Sequence, residues 1–123
     1  MPNERRASEL RQEIGRLSTE RSAVERELLR RRRMLAASLV ERHLGTRQSK
    51  RESSAFYLSW ARAGRTRLLY VAKDRLAGVR QAVEAWRAFR AALHRWRELS
   101  ERIETLWREL GEAQAQSPEE LPS

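Results

Sequence analysis

Between Leu76 and Leu110, eleven apolar residues recur at spacings of three and four: Leu76, Val79, Val83, Trp86, Phe89, Leu93, Trp96, Leu99, Ile103, Leu106 and Leu110. Only an α-helix brings positions three and four apart onto one face. No proline interrupts the run, and Asp74 is a good residue to cap its start. The spacing therefore predicts a helix over 75–111. A helix this long cannot bury an apolar stripe against itself; it needs a second helix or another chain.

A second periodic segment lies upstream. Leu10, Ile14, Leu17, Arg21, Val24, Leu28, Arg31 and Leu35 alternate at four and three, the seam of a coiled coil with two arginines in it. Leu39 and Val40 continue the apolar face to Leu44, and Gly45 suits the position just past a helix end. With Asn3 as cap, the expected helix covers 4–44, weakened at Gly15 by roughly 1 kcal/mol relative to alanine. Arg30, Arg31, Arg32 and Arg33 follow one another inside it. At about 100° per residue, four consecutive side chains fan around most of a helix, so they cannot all face water.

Between the two helices the period changes. AFYLSW (55–60) and TRLLYVA (66–72) are rich in aromatic and β-branched residues, and the linking ARAGR places Gly64 at a turn. This predicts a β-hairpin over 55–72 with a loop of about five residues. TRQSKRESS (46–54) is basic and aperiodic, hence loop, and 115–123 is expected to be a disordered tail. The expected fold is mainly α: an antiparallel two-helix coiled-coil hairpin with a small β-hairpin inserted at its tip, a single domain over 1–114. Residue i would then face roughly residue 119 − i. Arg21 would meet Glu98 and Glu101, and Arg31, opposite Ala88, would snorkel along the seam or reach another chain.

Charge is unevenly spread. The net charge is +9, with 24 arginines against only Lys50 and Lys73. Residues 1–29 are neutral, 30–97 carry 18 basic against four acidic side chains, and 98–123 carry two against seven. Folding the chain back would gather the cations at one end. The arginine excess reflects either a GC-rich coding bias or selection for guanidinium chemistry, which pairs bidentately with phosphate. The net charge itself asks for an anionic partner.

The residues expected to contact nucleic acid are Arg30, Arg32, Arg33, Arg42, Arg47, Lys50, Arg51, Arg62, Arg65, Arg67, Lys73 and Arg75, with Tyr57 and Trp60 placed among cations where a ring can stack on a base. The plainer reading of RRRR is a solvated charged face, and a hairpin must also turn some aromatics inward. Trp86, Trp96, Trp107 and Phe89 share one helix, and are read as core or dimer packing. DNA is preferred to RNA as the partner. The competing class is an adaptor whose coiled coil binds a protein. A homodimer of four helices would bury what a two-helix hairpin leaves open.

Other classes have little support. There is no cysteine, so disulfides and thiolate zinc sites are excluded. His43 and His94 stand without convincing nucleophile or metal partners, and no glycine-rich phosphate loop occurs. Glu98, Glu101 and Glu104 read as a solvated helix face. No enzyme activity and no cofactor are expected. No segment approaches the ~20 apolar residues of a membrane span, and no apolar run resembles a signal peptide, so a cytoplasmic location and no membrane partner are expected.

The middle of the chain carries a resemblance. Ser38-Leu39, Phe56-Tyr57-Leu58-Ser59, Gly64-Arg65-Thr66 and Tyr70-Val71 occur in an order that resembles small uncharacterised transposase-associated bacterial proteins, over roughly residues 34–110. That pattern consists of a helix, a cysteine knuckle, a β-hairpin and a long helix. The cysteines expected around Thr46 to Ser54 are missing here, so no metal site carries over. The resemblance implies a mobile-element setting, with a transposase or another mobile-element protein as a partner, and brings no activity with it.

Overall fold

The computed structural model describes residues 2–43 and 54–122. The elements run α1 (Glu4–Leu28), β1 (Ser38–His43), β2 (Ser54–Arg62), β3 (Arg65–Val71) and α2 (Leu76–Gln114), followed by a single 3-10 turn at Pro118–Glu120. The expectation of a mainly helical chain with two long helices holds. The strand count does not: three strands form an antiparallel sheet where two were expected. The chain divides into two compact units, a helical one of Met1–Arg30 with Ala91–Ser123 and a sheet unit of Arg31–Arg90.

In the helical unit, Asn3 Oδ1 accepts from the Arg6 N–H at 3.0 Å and caps α1 as expected. Ala7, Leu10, Ile14 and Leu17 are buried against Leu99, Ile103, Leu106 and Leu110. The pairing is antiparallel, with Arg6 bonded to Glu109 at 3.1 Å, Glu13 to Arg102 at 3.5 Å, and Glu20 to Arg95. These contacts lie within a few residues of the register that the sequence predicts. The hydrogen bond from Glu20, and then its charge, hold the Arg95 guanidinium above its ordinary pKa. Exposed pairs of this kind contribute about 0–1 kcal/mol each, whereas fully burying one leucine is worth roughly 1.5–3, so the apolar seam holds this unit together. Among the described residues Arg21 pairs with neither Glu98 nor Glu101 as expected; it donates to Ser100 Oγ at 3.4 Å. Trp107 stays out of the core at 57% exposure.

The expected helix 4–44 is corrected. Helix α1 ends at Leu28, where the Leu29 N–H bonds Glu25 O at 3.0 Å, and the four arginines lie in the non-helical segment that follows. Arg30, Arg31 and Arg33 are exposed, while Arg32 is the half-buried one, its Nε and Nη2 shielded from solvent. Arg31 is therefore no seam residue. The reason is competition for apolar side chains: Leu35, Ala37 and Leu39 join Leu58, Val71, Val79 and Val83 in a second cluster. The Leu35 N–H also bonds Ala82 O at 3.0 Å, docking this extended segment on α2. Gly45 lies outside the described residues.

In the sheet unit, β2 pairs with both neighbours, Leu58 facing Leu39 on one side and Leu69 on the other. The hairpin expected at 55–72 is present, but its loop is two residues rather than five. Ala63 (φ 52°) and Gly64 (φ 76°) both take left-handed backbone, the geometry that matches a tight hairpin to strand twist. Asp74 does not cap α2, because the residue preceding the helix is Arg75, whose carbonyl accepts from the Val79 N–H at 3.0 Å. The helix runs past Gly111 to Gln114, and Ser117 caps the 3-10 turn within the tail read as disordered.

Candidate nucleic-acid interface

Side chains alternate across a sheet, so the pairing register sorts the sheet unit into two faces. One carries Leu39, Phe56, Leu58, Trp60 and Val71, which pack with Val79 and Val83 of α2. The opposite face carries Val40, Arg42, Tyr57, Ser59, Thr66, Leu68 and Tyr70. There Tyr57 and Tyr70 stand directly across the strand pair, ring centroids 5.8 Å apart at an interplanar angle of 69°. The Arg42 guanidinium lies 5.4 Å from the Tyr57 ring centre. Tyr70 is 58% exposed and Leu68 45%.

The hairpin end is wholly cationic. Arg62 and Arg65 are paired directly across the turn and both are exposed. Like charges opposite one another destabilise a strand pair. Behind β3 a groove of about 520 Å³ is lined by Arg33, Tyr70, Asp74 and Arg75 over an apolar floor that includes Leu58 and Val79. A smaller concavity of about 250 Å³ brings Trp60 and Trp86 together with Arg87 and Arg90. Trp86 stacks on Phe89, centroids 6.2 Å apart and 9° from parallel. Arg80 lies 5.4 Å from the Phe56 ring centre.

The division into units sharpens the charge pattern. Residues 31–90 carry 15 basic and four acidic side chains, a net of +11, whereas the helical unit carries 11 basic and 13 acidic, a net of −2. Of the residues expected to bind nucleic acid, Arg32, Arg33, Arg42, Arg62, Arg65, Arg67, Lys73 and Arg75 fall in the sheet unit, and all but Arg32 are exposed. Arg30 belongs to the helical unit and sits 4.0 Å from Glu27. Arg47, Lys50 and Arg51 lie outside the described residues. Tyr57 and Trp60 are both half-buried, Tyr57 on the face away from α2 and Trp60 on the packed one.

Sequence reasoning missed Tyr70, Arg87 and Arg90, whereas Arg80 is read from the sequence, with Arg75, as part of the basic cluster. Tyr70 was within reach, because a two-residue turn at Ala63-Gly64 places it opposite Tyr57 by counting alone. Arg87 and Arg90 carry no signal beyond the number of arginines in the helix. Among the described residues no group of three His, Asp or Glu side chains gathers to hold a metal ion, and no helix is long and apolar enough to cross a membrane. No family model, curated protein or solved structure matches this chain.

Proposed function

We propose that the protein binds nucleic acid, DNA ahead of RNA, chiefly through phosphate contacts made by residues 31–90. One observation carries this reading: the +11 charge of a 60-residue unit beside a helical unit of −2. A charge bias that merely kept the chain soluble would have no reason to respect the boundary between units. The Arg62–Arg65 pair supports it, since two arginines held face to face beside a strained Ala63 break two local rules at one spot. Such departures are expected where a site binds a partner, here an anion. An accessory role beside a transposase is what the sequence resemblance adds.

Titrating a labelled random duplex at several salt concentrations tests the reading. Engaging six to eight phosphates gives log Kobs against log salt a slope of about −5 to −7. A flat response removes phosphate contact as the basis of function.

The adaptor reading rests on a different observation, the exposed Trp107 and Leu93 on the helical unit. It predicts that Trp107→Ala abolishes capture of a protein partner while leaving the duplex titration unchanged.

A further inference from the structure

We propose that the open sheet face bearing Arg42, Tyr57, Leu68 and Tyr70 is a stacking platform for unpaired bases, so that the preferred ligand is a single strand. This rests on the nucleic-acid reading above and names its substrate class.

The face is unusual for its position. An antiparallel sheet with one side packed on a helix ordinarily presents polar side chains on the other. Here that side sets Leu68 and Tyr70, both exposed, and the half-buried Val40 and Tyr57 among Arg42, Ser59 and Thr66. Tyr70, on the edge strand β3, is 58% exposed although its ring is among the largest apolar surfaces of the sheet unit. The edge-on contact with Tyr57 sets the two rings at 69° to each other, and Tyr70, the exposed one of the pair, offers its ring to a base. Arg42 lies over Tyr57 and adds a cationic plane to the same surface. Aromatic rings and guanidinium planes on an open sheet stack on splayed bases. A duplex hides the base faces that such rings need; a single strand offers them together with phosphates for the surrounding arginines.

Charge selects this occupant over a second copy of the chain. Covering the patch with another sheet unit would bring two bodies of +11 together, whereas an oligonucleotide supplies the opposite sign.

The test uses fluorescence anisotropy with a labelled oligothymidylate of about 15 nucleotides, within the range one stacking surface covers, and a random duplex of the same length. Tyr70→Thr keeps a good strand former at an exposed edge position, and Tyr70→Phe keeps the ring. The expected result is tighter binding of the single strand, lost about tenfold or more in Tyr70→Thr, kept in Tyr70→Phe, with duplex affinity changed less than about twofold. Equal losses on both probes, or an unchanged affinity for the single strand, overturn the platform. If duplex binding with steep salt dependence persists in that second case, only this inference falls; if neither probe binds at low salt, the nucleic-acid reading falls with it. Sedimentation showing a dimer that Tyr70→Thr dissociates also overturns it, since the face would then be a contact between copies.

Discussion

Replacing both turn arginines, Arg62→Gln with Arg65→Gln, should make the protein more stable and a poorer binder at once. The two side chains are cross-strand partners at the end of the β2–β3 hairpin and both are exposed. Cross-strand pairs contribute roughly 0.2–1 kcal/mol, and like charges oppose pairing, so neutralising both should gain a few tenths of a kcal/mol. Binding moves the other way. If the intact surface neutralises about six phosphates, log Kobs falls with log salt at a slope of about −5.4, and the affinity drops about 2000-fold between 50 and 200 mM salt. Removing two contacts leaves a slope of about −3.6 and a drop of only about 150-fold. Anisotropy titrations at four salt concentrations resolve that difference, and urea melts of the same samples give the stability. Arg102→Gln with Arg108→Gln is the control, because both lie in the helical unit, paired with Glu13 at 3.5 Å and Glu104 at 2.6 Å. The reasoning is refuted by a slope that stays put in the turn variant, or that falls equally in the control.

Two further outcomes test the fold. Leu106→Ala removes a fully buried side chain from the helical seam and should lower stability by about 2–5 kcal/mol in urea denaturation; a loss below about 1 kcal/mol would mean the seam is not packed as described. Ala63→Asn, which completes an Asn-Gly turn, should relieve the left-handed strain at φ 52° and raise stability by about 1 kcal/mol, and a loss would contradict the two-residue turn.

What could be read from the chain depended on how local its cause was. The long second helix was legible because its apolar period repeats without a break, and the hairpin because the period switches at AFYLSW. The end of α1 was not. Arginine is a good helix former, no glycine or proline stands between Gly15 and Gly45, and the heptad runs straight through Arg31 to Leu35. Nothing nearby says that Leu35 and Leu39 belong with Val79 and Val83, which lie about forty residues downstream. Strand β1 fails to show itself for the same reason: only Leu39 and Val40 are half-buried in it, with no alternation, and pairing with β2 makes it a strand. The basic character of the site was visible in composition. Its open face was not: alternation already puts Tyr57 and Trp60 on opposite sides, but which side is packed depends on Val79 and Val83 of α2.

Both units draw on α2, but they stand differently in the order of synthesis. Residues 31–90 form one uninterrupted stretch, whereas Leu10, Ile14 and Leu17 must wait for Leu99 through Leu110 to leave the ribosome. At about 5–20 residues per second that delay lasts several seconds, during which α1 is an amphipathic segment without its mate. The cationic piece is thus complete first, and a nascent chain could engage a polyanion before its helical half has closed.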